Sequence, residues 1–148
     1  MILPQRRILG HTPPSGIPDT PVYFVTICGK VRGQDQFCRP HVAGKIFESV
    51  AFYHERKRWW MHLMLLMPDH IHCLVRFPVT ESMSAVVRAW KHYLATQCGI
   101  TWQRDFFDHR LRTRESYDEK ASYIRQNPVR AGLVKTAVEW PYIWESRR

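Results

Sequence analysis

Two histidines separated by one apolar residue are the clearest chemical feature of this sequence. His70, Ile71 and His72 lie within the β-type run Pro68–Val75. In a strand, residues i and i+2 point to the same face, so both imidazoles would share it. Such a pair fills a core poorly, because each ring carries polar nitrogens that need partners, but it binds a divalent metal ion well. An ion held by two protein nitrogens keeps positions open for a substrate, which is typical of a catalytic site.

A second candidate group lies near the end of the chain. In a helix, Tyr123 and Asn127 would be neighbours one turn apart on the same face. The amide oxygen of Asn127 suits Mg²⁺ or Mn²⁺, and the phenol of Tyr123 can attack phosphorus to form a covalent phosphotyrosine. Simpler explanations stay open on the residues alone: a packed or surface tyrosine, and an asparagine that ends a helix before Pro128.

Composition indicates one ordered, basic domain. The 148 residues are 45% hydrophobic and 13% aromatic, which argues against disorder and is enough for a core. Lys and Arg outnumber Asp and Glu by 22 to 13, a net charge of +9. That balance fits a polyanionic partner, nucleic acid or an acidic membrane surface, although solubility alone explains it equally well. The scattered cysteines and the lack of a signal peptide or long apolar segment predict a soluble, cytoplasmic protein without a membrane partner.

Hydrophobic periodicity predicts an α+β domain of ferredoxin-like type. Residues 1–20 form an irregular, proline-containing basic leader, and residues 21–148 form a single domain. Strands are predicted over 22–27, 59–67, 70–77 and 106–112, and helices from His41 to about 55 and over 81–97. A last helix begins at about Glu115 and ends at Asn127, because Pro128 follows. The order βαββαβ predicts a split βαβ fold: an antiparallel sheet with helices on one face, the histidine strand at its centre, and a C-terminal helix carrying the tyrosine.

Basic side chains provide candidate contacts to nucleic acid. On the helix 81–97, Trp90 and Tyr93 belong to the predicted apolar face, so we expect them in the core. Arg88 and Lys91 are assigned to the opposite face and are candidate phosphate contacts. Further candidates lie elsewhere in the chain: Arg6 and Arg7 in the leader, and Arg125 or Lys120 near Tyr123.

Several sequence blocks, taken in order, resemble one family. His70-Ile71-His72 follows Pro68-Asp69, and the later segment runs Tyr123-Ile124-Arg125-Gln126-Asn127-Pro128. Together with Tyr23-Phe24-Val25-Thr26, Phe107-Asp108-His109 and Trp140-Pro141-Tyr142, these blocks resemble the single-tyrosine HUH transposases, an IS200-like family. The resemblance covers residues 22–144 and is greatest to the REP-associated tyrosine transposase branch.

The resemblance implies a mechanism and a substrate. It implies that His70, His72 and Asn127 bind a divalent metal, Mg²⁺ or Mn²⁺, and that Tyr123 cleaves single-stranded DNA, leaving a 5′-phosphotyrosine and a free 3′-hydroxyl. It also implies a hairpin-forming, REP-like substrate and favours a monomer over a homodimer. A hairpin-binding regulatory module that does not cleave stays open as the alternative. A metal-dependent nucleotide hydrolase fits poorly, since it would need a histidine or aspartate where the chain has Leu74.

Overall fold

Five strands form one antiparallel sheet in the computed structural model, which describes residues 19–146. The strands are β1 (Val22–Cys28), β2 (Trp60–Leu66), β3 (His70–Arg76), β4 (Phe107–Leu111) and β5 (Ile143–Glu145). Their order across the sheet is β4-β1-β3-β2-β5, so the predicted ferredoxin-like arrangement is confirmed and β3 is central. The short strand β5, which the sequence did not predict, pairs with β2 at one edge.

Three α-helices flank this sheet. They are α1 (Pro40–Glu55), α2 (Met83–Cys98) and α3 (Arg114–Arg130), followed by a 3₁₀ turn (Ala137–Glu139). The helices α1 and α2 cover one face, and α3 packs against β2 and β3 on the other. Within residues 19–146 there is no helix with the length and apolar character needed to cross a membrane. Residues 1–18, including the candidate contacts Arg6 and Arg7, lie outside the described residues.

The larger core lies between the sheet and the helices α1 and α2. Trp90 of α2 has no exposed surface, and its ring lies 5.5 Å from that of Trp59. Its indole Nε1 donates a hydrogen bond of 2.9 Å to the hydroxyl of Ser49 on α1. A buried indole loses little by desolvation when its N–H has a partner, so this bond joins the two helices without leaving a polar atom unpaired.

The smaller core holds α3 against the sheet. Ile124 of α3 is fully buried, in a cluster with Leu63 and Leu65 of β2 and Leu74 of β3. Val22 of β1 and Leu111 of β4 are buried in the same cluster, whereas the other end of β4 on this face is open, and Phe107 is 62% exposed. The sheet therefore has one covered face and one partly covered face.

The predicted end of the last helix was wrong. α3 continues through Asn127 and Pro128 and ends at Arg130, before Gly132 with its positive φ of 76°. Proline removes the hydrogen bond that its own N–H would make, but it does not prevent the next turn from forming. That turn is present, since the Ala131 N–H donates to the Asn127 carbonyl at 3.0 Å, and the ring of Pro128 is buried.

The orientation of α2 also differs from the prediction. Lys91, assigned from the sequence to the exposed face, is only 9% exposed, whereas Tyr93, assigned to the core, is 40% exposed. The Lys91 ammonium donates to the carbonyls of Gln103 and Arg104 at 2.9 and 3.2 Å. Burial lowers the pKa of Lys91, opposed by the carboxylate of Asp105. A long side chain can bury its stem among apolar residues when its charged end reaches carbonyl groups, and hydrophobic periodicity does not report this.

Replacing the buried anchor of α3 should destabilise the protein. We expect Ile124→Ala to lower the free energy of unfolding by about 2–5 kcal/mol, because it leaves a cavity between α3 and the sheet. Urea unfolding followed by circular dichroism measures the change. Val138→Ala is the control, since Val138 is 91% exposed and its truncation should change stability by less than about 0.5 kcal/mol. A similar small effect of both substitutions would contradict the docking of α3.

Candidate active site

The pairing of β3 with β1 places both histidines on the face that α3 partly covers. In this register Cys28 lies opposite His70 and Thr26 lies opposite His72. Leu74, two residues after His72, belongs to the cluster beneath α3, which fixes the face. The two imidazole centroids are 4.8 Å apart, with their planes at 78°. The predicted side-by-side placement of the two rings is therefore confirmed.

Asp69 fixes the orientation of the His70 ring. Its Oδ1 lies 2.8 Å from His70 Nδ1, and its Oδ2 accepts a hydrogen bond of 2.7 Å from the Gly33 N–H. Burial acts to raise the pKa of Asp69, but these two hydrogen bonds and nearby positive charge, including that of Arg32, outweigh it, so the pKa is lowered and the group is a carboxylate. A carboxylate only accepts, so Nδ1 of His70 carries the hydrogen of this contact, and Nε2 is the nitrogen left to bind a metal ion.

His72 is held neutral by its surroundings. It is 6% exposed, its Nδ1 lies 3.0 Å from the Thr26 hydroxyl, and its ring stacks on Phe24 at 5.4 Å. Burial lowers the pKa of His72 to about 3, and the positive charge of Arg130, together with that of His70 when its ring is protonated, contributes in the same direction. Neutral imidazole is the form that binds a metal ion, so this environment keeps His72 available as a ligand.

The Tyr123 ring lies close to His72. It lies on α3, and its ring centroid is 5.8 Å from that of His72 and 6.0 Å from that of Phe24. The side chain is 44% exposed, so a substrate can reach it. The structure thus joins two groups that the sequence placed in separate segments.

Two cations flank the Tyr123 ring. The Arg130 guanidinium lies 4.4 Å from the ring centroid and donates a hydrogen bond of 2.9 Å to the Tyr123 carbonyl, and the Lys120 ammonium lies 5.8 Å from the same centroid. Positive charge at these distances stabilises an anion near the phenol. Arg125, the other cation considered from the sequence, forms an ion pair of 2.8 Å with Glu145 of β5 instead.

Sequence reasoning missed Arg130, Asp69 and Thr26 as contacts of the site. Arg130 lies two turns after Tyr123, and that spacing would have identified it if the helix had not been ended at Asn127. The bonds of Asp69 and Thr26 to the rings depend on strand pairing and loop conformation, for which the local sequence carries no signal.

Asn127 is the remaining predicted ligand. It lies one turn after Tyr123 on α3 and is half-buried, and no hydrogen bond joins its amide to another described residue. Over residues 19–146, no group of three or more His, Cys, Asp or Glu side chains could hold a metal ion. The assignment of Asn127 as a metal ligand stays a prediction.

Arg88 lies away from this site. It is exposed on α2, on the opposite side of the sheet, and lines a cleft of about 320 Å³ together with Arg104 and Lys91. The structure therefore does not bring all of the predicted residues to one place. His70, His72 and Tyr123 form one group, and Arg88 belongs to a separate basic surface.

Comparison with known proteins assigns the chain to a family. The profile described as "Transposase IS200 like" matches residues 21–127. The chain belongs to this IS200-like transposase family. The matched region contains His70, His72 and Tyr123, and it ends at Asn127.

Individual relatives agree with this assignment. The chain is 32% identical over 81 residues to the REP-associated tyrosine transposase of Escherichia coli K12, covering 53% of this chain and 49% of the relative. It is 30% identical over 95 residues to a candidate REP-associated tyrosine transposase of Haemophilus influenzae, covering 52% and 53%. The resemblance to this branch is therefore confirmed. The matched part spans about half the length of each of these relatives.

Solved structures share the fold. A REP-associated tyrosine transposase bound to a REP hairpin superposes with a TM-score of 0.74 at 23% identity, covering 84% of this chain and 76% of that one. A candidate transposase from Deinococcus radiodurans R1 gives a TM-score of 0.54 at 16% identity, covering 72% and 90%. At these identities the likeness establishes the fold.

The buried His72 should make the protein sensitive to acid. Below pH about 6.5 the unfolded chain takes up a proton at His72 that the folded protein does not bind until about pH 3. Stability should therefore fall as the pH falls through this range, with a contribution from His72 of up to about 1.4 kcal/mol per pH unit. Urea unfolding with a chelator present measures this dependence.

The matched variants are His72→Gln, which should remove this contribution, and His41→Gln, which alters an exposed histidine at the start of α1. We expect a shallower dependence of stability on pH only in the former. Equal pH dependence in His72→Gln and the unsubstituted protein would contradict a neutral, buried His72.

Proposed function

We propose that this chain is a metal-dependent single-stranded DNA endonuclease and strand transferase that acts on hairpin DNA through a covalent 5′-phosphotyrosine. The observation that carries the proposal is the position of Tyr123. Its accessible phenol ring lies 5.8 Å from the buried, neutral His72 and is flanked by Lys120 and Arg130. Membership of the IS200-like transposase family supports the same reaction class.

Three residues would hold the metal ion. The Nδ1 atoms of His70 and His72 are already bonded to Asp69 and Thr26, so Nε2 is the nitrogen that each ring would offer as a ligand. Asn127 would add an amide oxygen, and this mixed set suits Mg²⁺ or Mn²⁺. When bound, a divalent ion would polarise the scissile phosphate and neutralise part of its charge.

Tyr123 would act as the nucleophile. Its phenol oxygen forms a bond to phosphorus as the bond from phosphorus to the 3′-oxygen breaks, leaving the 5′-phosphate on the tyrosine. The phenol proton passes to solvent water during the attack, since Tyr123 is half-exposed, and the departing 3′-oxygen takes up a proton from water to become a hydroxyl. Arg130 and Lys120 stabilise the negative charge that passes through this region. The phosphotyrosine retains the energy of the diester, so a 3′-hydroxyl can displace Tyr123 and rejoin the strand.

The substrate that we propose is hairpin-forming, REP-like single-stranded DNA, bound by a monomer. The net charge of +9 supports a polyanionic partner, and a structural relative was solved with a REP hairpin. Arg88 stays a proposed phosphate contact, because it is exposed on α2. Lys91 and Arg125 are weaker candidates than the sequence suggested, since one is bonded to loop carbonyls and the other to Glu145.

Removing the phenol oxygen should abolish covalent capture of DNA. We expect Tyr123→Phe to form no adduct with a labelled hairpin oligonucleotide while it still binds the DNA. Denaturing gels with Mg²⁺, Mn²⁺ or a chelator measure adduct formation, and the chelator should suppress it. Tyr117→Phe is the control, because Tyr117 lies on the same helix with its ring 5.6 Å from His62. Adducts at normal yield in Tyr123→Phe would remove Tyr123 from the mechanism.

The same experiment distinguishes the alternative function. A hairpin-binding regulatory module would retain DNA binding but form no adduct with any divalent ion, even in the unsubstituted protein. Adducts that depend on both Tyr123 and the metal would exclude that alternative.

The carboxylate of Asp69 should strengthen metal binding. We expect Asp69→Asn to weaken the affinity for Mn²⁺ by about 10- to 100-fold, because the amide lacks the negative charge and has one accepting oxygen, which cannot serve both the His70 ring and the Gly33 N–H. Electron paramagnetic resonance of free Mn²⁺ measures binding without DNA. Asp35→Asn is the control: it removes the same charge from the loop after β1, where the Asp35 carboxylate accepts from the Cys38 N–H at 2.9 Å. Equal Mn²⁺ affinity in both variants would contradict this role of Asp69.

A further inference from the structure

An exposed aromatic ring lies in the same cross-strand row as His72. Phe107 of β4 is 62% exposed and pairs in register with Thr26 of β1, which itself pairs with His72 of β3. Residues directly opposite each other in an antiparallel sheet share a face, so Phe107, Thr26 and His72 form one row. The spacing of strands places Phe107 about 10 Å from His72 along that row.

The location of Phe107, more than its exposure, distinguishes it from other exposed apolar side chains. Single exposed apolar side chains are common on protein surfaces and need no function. Phe107, however, lies at the open end of this sheet face, beside Thr26 and the exposed His109, whereas the other end is covered around Val22 and Leu111. This open surface continues directly into the site formed by Tyr123 and His72. A strand of DNA with its phosphate at Tyr123 could extend over it.

The charges around this surface favour a polyanion. The Lys120 ammonium lies 5.2 Å from the ring centroid of Phe24, between the open surface and Tyr123, and Arg130 lies over the Tyr123 ring. The carboxylate of Asp69 is bonded to His70 and to the Gly33 N–H. Cations beside an exposed aromatic ring are the combination that binds single-stranded nucleic acid, because the cations meet phosphates and the ring meets a base.

We propose that Phe107 is a stacking platform for one unpaired base next to the phosphate that Tyr123 attacks. The inference rests on the proposed function for the identity of that phosphate. Every base has a π-face, so Phe107 would position the strand with little preference for sequence. Its contribution to affinity should be about 5- to 150-fold for one base.

The first test measures binding in a Tyr123→Phe background, which prevents cleavage. The probe is a fluorescein-labelled hairpin with six unpaired thymidines on each side of its stem, followed by anisotropy. We expect Phe107→Leu to weaken binding about 5- to 150-fold and Phe107→Trp to retain it. Unchanged affinity in Phe107→Leu would overturn the inference.

A matched control distinguishes loss of base stacking at Phe107 from any general effect on DNA affinity of replacing an exposed phenylalanine. Phe52 is 51% exposed on α1, on the other side of the sheet, with the Arg56 guanidinium 4.7 Å from its ring centroid. Phe52→Leu should leave affinity unchanged, and thermal unfolding should show that both leucine variants are folded. An equal loss of affinity in both variants would count against a specific role for Phe107.

An abasic residue locates the stacked base. When one abasic position is moved through the unpaired flanks, Tyr123→Phe protein should lose affinity at one position near the cleaved phosphate. In the protein that also carries Phe107→Leu, the penalty at that position should disappear while penalties elsewhere remain. A penalty that persists unchanged there would overturn the inference, even if affinity is reduced.

The outcomes also separate this inference from the proposed cleavage. If no adduct forms with unsubstituted protein but the abasic penalty depends on Phe107, the stacking platform stands and cleavage fails. If adducts form and the penalty does not depend on Phe107, the stacking platform fails alone. Sedimentation velocity tests a second copy as the occupant of this surface: a dimer that Phe107→Leu converts to a monomer would overturn base stacking.

Discussion

The two-residue repeat of β3, the central strand, is the constraint on which the candidate site depends. It places His70 and His72 on one face, and pairing with β1 brings Thr26 beside the second ring. Asp69, in the turn before the strand, bonds the first ring and also the loop after β1 through Gly33. Both imidazoles are thereby fixed at Nδ1, so neither ring can rotate freely. A change in the conformation of the loop that contains Gly33 would therefore alter the position of Asp69 and, with it, the orientation of the His70 ring.

The continuation of α3 past Pro128 has an electrostatic consequence. It places Arg130 over the ring of Tyr123, while Lys120 lies one turn before it. The same Arg130 helps to keep His72 unprotonated. One helix therefore supplies the phenol and two cations, and its buried Ile124 fixes the distance of all three from the sheet. A substitution that shifts the packing of α3 would therefore also shift Tyr123, Lys120 and Arg130 relative to His72.

The predictions from sequence failed in two situations. One was a residue at the border between the apolar and polar faces of a helix, and the other was a contact between segments distant in the chain. The helical repeat shows that α2 has an apolar face, but it does not show that Lys91 is buried beside that face while Tyr93 is exposed. The stem of a lysine is apolar and its charge can reach carbonyls, so residue type misleads at such a position. The ion pair of Arg125 depends on β5, a strand of three residues that is too short to leave a clear repeat.

The sequence by itself determined the order of strands and helices, the ferredoxin-like topology and the shared face of His70 and His72, because these follow from local periodicity and from the few ways such elements connect. Motifs in their order were sufficient to indicate the family. The meeting of Tyr123 with His72, and the partners that hold each imidazole, were decided only by the tertiary structure. Contacts between segments distant in the chain depend on strand order, helix docking and loop conformation together, and no single segment encodes them.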